Sequence, residues 1–312
     1  MTAVPSLPHV AVVGAGAMGC LFAARLGERH ACVTLVDVDG ERLAVIARDG
    51  VTLRDDDGLR TVRVEAATAE HVEAPVDLLL LFTKGVHSEA AIRSVAHLAS
   101  PDLVALTLQN GLGNAELLSA TFGGDNVLMG TAHVPADLIG PASVVTHGFG
   151  FLDLGGFTVR AHARASHAAE LLAAAGFRTN LSKDIKVAVW EKAAFNAALN
   201  ATAMICEVAN AGIDNAPGRR IAAAVIDETA NVALAQGICV DRRRIETTVA
   251  AALREHAHHK ASMLQDREHG RPTEIETING AIARTGASLG VPTPVCDKLA
   301  DLVRVIELAL PG

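Results

Sequence analysis

Short apolar runs alternate with alanine-rich stretches of helical periodicity along the first half of the chain. Buried strands are predicted at residues 9–13, 33–36, 78–82 and 103–108, and helices at 18–28, 41–49 and 88–99. A hairpin is predicted over residues 51–64, with Asp55-Asp56-Asp57 as its solvated tip. Because strands and helices that alternate at this spacing usually form a parallel sheet covered on both faces, the pattern predicts an α/β domain.

The second half of the chain is helical almost to its end. Short glycine-containing strands are predicted over residues 127–156, then a helix over 161–175 and a last strand over 177–181. Longer helices are predicted over residues 185–210, 219–236, 242–263, 273–289 and 294–308. Thr273, with Glu276 three residues on, has the pattern of a capping box and would begin the fourth of these helices. We expect an α/β domain over residues 1–182 and an all-helical domain over residues 183–312.

Composition and charge narrow the class of protein. Half of the 312 residues are apolar, which is enough for two cores, and the formal net charge of −8 repels nucleic-acid phosphates. The longest apolar runs, such as Leu78–Phe82, are too short to span a membrane. The five cysteines are scattered without a C-x-x-C pair, which favours a reducing compartment over a disulfide framework. We expect a soluble, cytoplasmic protein with no nucleic-acid or membrane partner.

A glycine-rich turn connects the first predicted strand to the first predicted helix. Its residues are Gly14, Ala15, Gly16, Ala17, Met18 and Gly19, which match the pattern G-x-G-x-x-G. The first glycine permits the tight turn, the second allows close approach of a pyrophosphate, and the third allows the helix to pack on the strand. The strand and helix around it argue against a purely structural turn. The pattern predicts a Rossmann-type domain that binds a nicotinamide dinucleotide at the helix N-terminus.

Asp37 ends the second predicted strand, eighteen residues beyond Gly19. A carboxylate there accepts hydrogen bonds from the adenine ribose and repels a 2′-phosphate, which favours NAD over NADP. Asp37 could instead cap the next helix, although Asp39 is better placed for that role. Arg42 is the nearby cation that would let the site accept NADP. We expect NAD as the cofactor, with NADP left open.

Lys192, Asn196 and Asn200 stand four residues apart in a predicted helix. Steps of four residues drift by only about 40° around a helix axis, so the three side chains form one stripe. Asparagine is a poor helix former, and two of them in one helix suggest a functional stripe, the alternative being a face turned to water. A second polar segment holds Ser262, and Glu274 in the first turn of its predicted helix. A surface hydroxyl and a cap contact are the alternatives for these two residues.

These elements together resemble the ketopantoate reductase family, formally 2-dehydropantoate 2-reductase. The resemblance rests on the glycine-rich turn, on Trp190-Glu191-Lys192 with the two asparagines, and on the segment from Ser262 to Gly280. It extends to Thr83-Lys84 and Gln109-Asn110-Gly111. It implies reduction of ketopantoate to pantoate, usually with NADPH. It also implies that the helical domain is similar to the C-terminal domain of 6-phosphogluconate dehydrogenase.

The resemblance implies roles for individual residues. Lys192 would be the general acid, and Glu274 would help to hold the substrate and its hydrogen-bond network. The residues implied to bind substrate are Asn110, Asn196, Asn200 and Ser262. Those implied to lie beside the cofactor are Lys84 and Asn110. The residue types suit the chemistry, because hydride transfer to a 2-oxo carbon leaves an alkoxide that needs a proton donor, and desolvation can lower a lysine pKa towards neutrality.

The chain departs from the usual family pattern at a few positions. His259 and Ala261 stand where many members have an asparagine and a serine. His87 stands where a glutamine is frequent, and Asp37 where NADPH-using members commonly have a basic residue. These differences keep open an NAD-linked 2-hydroxyacid dehydrogenase of the same family that acts on another branched or aromatic 2-oxo acid.

Two further classes stay open at this point. A 3-hydroxyacid or sugar-phosphate dehydrogenase would pair a similar first domain with a helical second one, and a dinucleotide-sensing binding protein would have no turnover. The segment from Ser262 to Glu274 argues against the first, and Lys192 with Glu274 argues against the second. The helical domain offers surface for a homodimer, which no residue pattern demonstrates.

A histidine-rich stretch is the candidate for a metal site. It lacks an H-E-x-x-H pattern, and hydride transfer needs no metal, so we expect none. The residues concerned are Glu255, His256, His258, His259 and His269.

Overall fold

The chain folds into two structural units, which a computed structural model describes for residues 7–29, 31–148 and 150–309. The first unit runs to Gln109 and resumes over Asn114–Ile185. The second comprises Asn110–Gly113 together with the residues from Lys186 onward. A short segment from the middle of the first unit's sequence therefore belongs to the second unit.

An eight-stranded sheet forms the framework of the first unit. Its strands, in spatial order, are β12 (Arg178–Leu181), β11 (Phe151–Gly156), β8 (Val127–His133), β7 (Val104–Thr107), β6 (Leu78–Leu81), β1 (His9–Val13), β2 (Cys32–Val36) and β5 (Glu65–Ala67). β8 and β11 pair antiparallel, and the other neighbouring strands of this sheet pair parallel. β6 is buried along its whole length and β1 along nearly all of it, which confirms a parallel sheet covered on both faces.

A second sheet and a set of helices complete the first unit. The strands of this sheet, in spatial order, are β4 (Gly58–Val62), β3 (Val51–Asp55), β10 (Ser143–Val145) and β9 (Asp137–Leu138). β3 and β4 form the predicted hairpin. The helices are α1 (Ala17–Glu28), α2 (Gly40–Asp49), α3 (Ser88–Ser94), α4 (Asn114–Phe122), α5 (Val159–His162) and α6 (Ala165–Ala174).

A charged cluster ties α1 to the β3–β4 hairpin. Arg25 is only 5% exposed; its Nη2 donates to the carbonyl of Gly148 and lies 3.8 Å from Oδ2 of Asp55. Arg60 donates to both oxygens of Asp55 and to the carboxylate of Glu28. The hydrogen bonds from Arg60 hold the pKa of Asp55 below its ordinary value, against the opposing effect of burial.

Helices build the second unit. They are α7 (Ile185–Cys206), α8 (Asn210–Ile213), α9 (Ala216–Ala235), α10 (Arg242–Glu255), α11 (Ser262–Glu268), α12 (Asn279–Leu289) and α13 (Pro294–Ala309). Small residues of α7, mostly alanines, pack with aliphatic residues of α9, α10, α12 and α13 in one core. None of the described helices combines the length and the apolar character that a membrane span needs.

The fourth predicted helix begins at Asn279, so the prediction of a capping box at Thr273 is wrong. Thr273 and Glu276, the two residues of the predicted capping box, form hydrogen bonds with other residues instead. The N–H of Thr273 donates to Glu307 at 2.7 Å, and the carboxylate of Glu276 accepts from two arginines. Glu274 consequently lies in a turn ahead of α12 and not in a first helical turn.

The prediction of one helix over residues 242–263 is also wrong, because the chain leaves the helical path between α10 and α11. Carbonyl groups of this connection accept hydrogen bonds from α8. The N–H of Asn210 donates to His259 at 3.1 Å, and that of Ala211 donates to Ala257 at 2.8 Å. Tertiary hydrogen bonds thus replace the intrahelical ones. The helix predicted over residues 185–210 likewise ends earlier, at Cys206.

Candidate active site

The glycine-rich turn follows β1 and leads into α1, as predicted. Gly14 has a φ of +105°, which favours glycine, and a Cβ there would lie 2.8 Å from the backbone nitrogen of Thr83. A Cβ at Gly19 would overlap the carbonyl oxygen of Gly14. These two glycines therefore allow the tight turn and the close packing of α1 against it.

The start of α1 fits the phosphates of a dinucleotide. Gly16 is the N-cap residue, and no side chain caps the helix. Apart from its chain neighbours, no atom of the described residues lies within 4 Å of a Cβ built at Gly16, so a ligand can approach the backbone at this point. Ala17 and Met18 begin the helix, whose first turn has no acidic residue, so its N–H groups present positive charge to an anion.

Three backbone donors hold the carboxylate of Asp37 just beyond β2. Its Oδ2 accepts from the N–H of Ala15, in the glycine-rich turn, at 2.5 Å. Its Oδ1 accepts from the N–H groups of Val38 at 2.8 Å and Asp39 at 3.0 Å. The carboxylate is thereby fixed against the turn.

Arg42 also lies against the turn. Its Nη1 donates to the carbonyl of Ala15 at 2.8 Å, and its Nε lies 3.5 Å from Oδ2 of Asp39. Asp39 itself caps α2, as expected, by accepting from the N–H of Arg42 at 3.0 Å. The carboxylate and the guanidinium that bear on the choice of cofactor therefore both contact Ala15.

Lys84 follows the C-terminal end of β6. The glycine-rich turn follows the C-terminal end of β1, the neighbouring parallel strand. β6 pairs with β1, and the neighbouring Thr83 approaches Gly14 closely. Gln109, beyond β7, donates to the carbonyl of Thr83 and, at 2.8 Å, to the hydroxyl of Ser88. These bonds fix the loop in which Lys84 stands.

The polar stripe lies on one continuous helix. α7 runs unbroken from Ile185 to Cys206, so Lys192, Asn196 and Asn200 share a face. Asn200 is only 6% exposed, and the other two residues are partly buried. The alternative of a face simply turned to water does not hold for Asn200.

Ser262, the first residue of α11, meets the end of this stripe. Its hydroxyl accepts from Nδ2 of Asn200 at 3.2 Å, while the residue stays exposed. Arg267 donates to the carbonyl of Met204 at 2.8 Å and so ties α11 to the last turn of α7. The serine hydroxyl is therefore both accessible and linked to the stripe.

Glu274 meets Asn110 near the other end of the stripe. Glu274 is 9% exposed, and its Oε2 accepts from Nδ2 of Asn110 at 3.1 Å. Its carboxylate also acts electrostatically on Lys192. The structure thus brings Lys192, Glu274 and Asn110 into one group, although 164 positions separate Asn110 from Glu274.

The pKa of Lys192 is strongly lowered. Burial lowers it from an ordinary value of 10.5 to about 8, while the carboxylate of Glu274 opposes the change by favouring the ammonium form. An amine with this pKa can give up a proton and recover it near neutral pH.

Some residues that shape the site were not singled out by sequence reasoning. The carbonyl of Thr277 accepts from the N–H of Leu112 at 2.8 Å, and Gly111 approaches the same carbonyl. The glycine after Asn110 was the only available signal for this contact. Within the described ranges, no group of three or more His, Cys, Asp or Glu residues is arranged to hold a metal ion.

Two family models match the chain in succession. "Ketopantoate reductase PanE/ApbA" matches residues 10–159, and "Ketopantoate reductase PanE/ApbA C terminal" matches residues 184–307. Together these matches cover most of both structural units.

Individual relatives agree with the family match. A 2-dehydropantoate 2-reductase of Halobacterium salinarum is 32% identical over 96% of this chain and 99% of its own length. Among solved structures, a D-mandelate dehydrogenase with NADH and anilino(oxo)acetate is similar, with a TM-score of 0.91 and 29% identity over 96% of this chain and 99% of that one. A 2-dehydropantoate 2-reductase from Geobacter metallireducens has a TM-score of 0.85 and 29% identity over the same shares.

Proposed function

The chain belongs to the ketopantoate reductase family, and on that premise we propose that it reduces 2-dehydropantoate to pantoate. It is an oxidoreductase that uses a nicotinamide dinucleotide. The observation that carries the proposal is the group formed by Lys192, Glu274 and Asn110, in which the lysine has a pKa of about 8.

Lys192 acts as the general acid in the proposed reaction. A nicotinamide dinucleotide would be held through the glycine-rich turn, and when bound it would supply the hydride for the 2-oxo carbon. The carbonyl oxygen then carries the negative charge of an alkoxide, and Nζ of Lys192 donates its proton to that oxygen. Because the pKa of Lys192 is about 8, the side chain is mostly protonated at neutral pH and regains its proton readily from water.

Uncharged polar groups orient the substrate. Asn196 and Asn200 offer amide donors, and Ser262 offers an accessible hydroxyl, so a carboxylate and a hydroxyl can bind without further net charge. Glu274 holds Asn110 in place and favours the protonated form of Lys192. Donors fixed in advance in this way stabilise the negative charge that develops on the substrate oxygen.

The setting of Asp37 supports NAD in preference to NADP. Its carboxylate is held by the N–H groups of Ala15, Val38 and Asp39 and cannot swing away without losing these bonds. It keeps acceptor capacity for a ribose hydroxyl, whereas a 2′-phosphate would meet its negative charge. Arg42, also against Ala15, is the group through which NADP would be tolerated.

A second substrate class is favoured by a specific observation. The solved relative with a TM-score of 0.91 is a D-mandelate dehydrogenase with NADH, and its anilino(oxo)acetate has the aromatic ring, oxo group and carboxylate of an aromatic 2-oxo acid analogue. Together with Asp37, this supports an NAD-linked 2-hydroxyacid dehydrogenase acting on a branched or aromatic 2-oxo acid as the alternative.

A substrate panel run with both cofactors tests the proposal. Initial rates with 2-dehydropantoate and with benzoylformate, the 2-oxo acid that corresponds to mandelate, are measured with NADH and with NADPH. We expect the highest kcat/KM for 2-dehydropantoate with NADH. A higher value for benzoylformate would select the alternative substrate class. Absence of cofactor oxidation with every 2-oxo acid would overturn both.

Variants at Lys192 and Asp37 test two roles independently, proton donation and cofactor preference. Lys192→Ala is expected to lower kcat by roughly 10²–10⁴-fold. Lys186→Ala, an exposed lysine of the same helix, should retain wild-type rates. Asp37→Arg should raise the NADPH-to-NADH efficiency ratio by about tenfold or more. Equal efficiency of the wild type with both cofactors would contradict the preference for NAD.

A further inference from the structure

A four-residue segment, Asn110–Gly113, packs against the turn that carries Glu274; we refer to it as the 110–113 strap. Two hydrogen bonds join the strap to the turn. Nδ2 of Asn110 donates to Oε2 of Glu274 at 3.1 Å, and the N–H of Leu112 donates to the carbonyl of Thr277 at 2.8 Å. The strap therefore contacts the turn both at the Glu274 side chain and at the backbone three residues later.

The fit between strap and turn leaves no room for a side chain at Gly111. This residue has a φ of +87°, and a Cβ on it would lie 2.6 Å from the carbonyl carbon of Thr277 and 2.8 Å from its Cβ. Gly113, in the same strap, has a φ of +92°, but a Cβ there would lie more than 4 Å from every described residue except its chain neighbours. The two glycines thus have similar φ angles, but a methyl group would meet the turn at Gly111 and not at Gly113.

Thr277 links this contact to Glu274. Its N–H donates to the carbonyl of Glu274 at 3.1 Å, and its hydroxyl donates to the same oxygen at 3.2 Å. The N–H of Ile278 is a third donor to that oxygen, also at 3.1 Å. Three bonds to one carbonyl make the turn stiff, so a displacement of Thr277 moves Glu274 with it.

We propose that Gly111 and Thr277 are positioning residues that together set the place of the Glu274 carboxylate relative to Asn110 and to the proton donor. The inference rests on the proposed function, since it takes Lys192 as that donor. Neither residue contacts the reacting atoms in this scheme; each acts through Glu274. An added methyl group at Gly111 separates the strap from the turn, lengthens the bond between Asn110 and Glu274, and shifts the carboxylate.

The ionisation of Lys192 reports on the position of Glu274. Burial lowers the pKa of this lysine, and the carboxylate of Glu274 opposes that effect. A carboxylate displaced from the amine favours the ammonium form less, so the pKa of Lys192 falls further. We expect a fall of about half a pH unit or more for a carboxylate moved out of close range.

The test compares four variants of the full chain with the wild type. Gly111→Ala disturbs the contact between strap and turn, and Thr277→Val removes the hydroxyl bond from Thr277 to the carbonyl of Glu274. Gly113→Ala adds the same methyl group at a similar φ without meeting a neighbour, and Thr277→Ser keeps the hydroxyl that Thr277→Val removes. Circular dichroism and thermal unfolding establish that each variant is folded.

Two readouts are taken from each folded variant. The first is the pH dependence of kcat and of kcat/KM for the best 2-oxo acid. The second is the rate of acetylation of Lys192 by acetic anhydride as a function of pH, followed by mass spectrometry. This rate depends on the fraction of neutral amine and needs no turnover, so it decides the inference even if every 2-oxo acid proves inactive.

The altered variants should differ from their controls in both readouts. In Gly111→Ala and Thr277→Val, the apparent pKa of Lys192 should fall and kcat should drop about 10-fold or more, as expected for a misplaced group. Thr277→Ser, and Gly113→Ala, which strains the backbone without meeting the turn, should keep the wild-type pKa of Lys192 and lose less than about threefold in kcat. An unchanged apparent pKa in both altered variants, or an equal fall in Gly113→Ala, would overturn the inference. If Gly111→Ala does not fold, the comparison of Thr277→Val with Thr277→Ser decides.

Discussion

At the scale of single residues, the ionisation of Lys192 connects the structure to a measurable rate. In the proposed reduction the amine of Lys192 must be protonated to act as the acid, and its pKa is about 8. The kcat/KM for reduction should therefore be high at neutral pH and fall as the pH rises through about 8. Oxidation of the hydroxy acid needs the neutral amine as a base and should rise over the same range.

The variant Glu274→Gln tests this prediction further, because the direction in which it should shift the pH profile is known. Glu274 favours the ammonium form of Lys192, so its neutralisation should move the limb of the pH profile to lower pH. Lys192→Ala should remove the limb. A profile for reduction that stays flat from pH 7 to about pH 9.5 would show that the lysine is not the acid.

Residue spacing predicted part of the site but not its contacts. Lys192, Asn196 and Asn200 could be placed on one stripe because helical periodicity is a local property. The bond between Asn110 and Glu274 could not be found this way, because it joins residues 164 positions apart. The part played by Thr277 was equally hidden, since its hydroxyl and backbone partners are specified by the fold and not by neighbouring residue types.

At the scale of elements, the turn between β1 and α1 assigns different tasks to two glycines. A Cβ at Gly19 would overlap the carbonyl of Gly14, so Gly19→Ala should lower the free energy of unfolding by about 1–3 kcal/mol. A Cβ at Gly16 would have no described residue other than its chain neighbours within 4 Å, so Gly16→Ala should cost under about 1 kcal/mol, as a change of N-cap residue. It should nevertheless weaken NADH binding about tenfold or more, because the added methyl group would lie where we propose that the pyrophosphate approaches.

Urea unfolding and NADH fluorescence titration separate the two effects. The expected pattern is a large loss of stability in Gly19→Ala and a loss of affinity with little loss of stability in Gly16→Ala. A drop in stability of the same size in both variants would contradict the assignment.

Secondary-structure elements were predicted correctly where the local sequence determines them. They were predicted wrongly where residues distant in sequence supply the hydrogen-bond partners. The glycine-rich turn and the β3–β4 hairpin have strong local signals, and both lie where they were predicted. The capping box at Thr273 also had a strong signal but did not form, because Glu307 binds the N–H that Glu276 would have taken. The break after Glu255 arises from hydrogen bonds to α8, which no local pattern announces.

At the scale of the whole molecule, each structural unit contains a carboxylate whose pKa is lowered by arginines. Arg60 lowers the pKa of Asp55 in the first unit, and Arg304 lowers that of Glu276 in the second. A lowered pKa in the folded state contributes stability above the ordinary pKa of the group, and this stability is lost as the pH falls through the folded value. The free energy of unfolding should therefore decrease on acidification from about pH 5 to pH 3.

The hairpin offers a matched pair of variants for this measurement. Asp55→Asn should flatten the dependence of the urea midpoint on pH, whereas Asp57→Asn, two positions away in the same hairpin, should leave the slope unchanged. Parallel slopes for the wild type and Asp55→Asn would show that the cluster around Arg60 does not contribute to acid sensitivity.

The 110–113 strap also affects the design of chimaeric proteins and the order in which contacts form during translation. The second unit is discontinuous in sequence, since it takes Asn110–Gly113 from a stretch otherwise belonging to the first. A chimaera that exchanges only residues 183–312 would combine one parent's Glu274 and Thr277 with the other parent's amide and glycine. During translation, the strap is synthesised well before Glu274 and Thr277. Its contacts with them can form only after more than half of the chain's length has been added. A chimaera that takes its second unit from another parent should therefore take residues 110–113 from that parent as well.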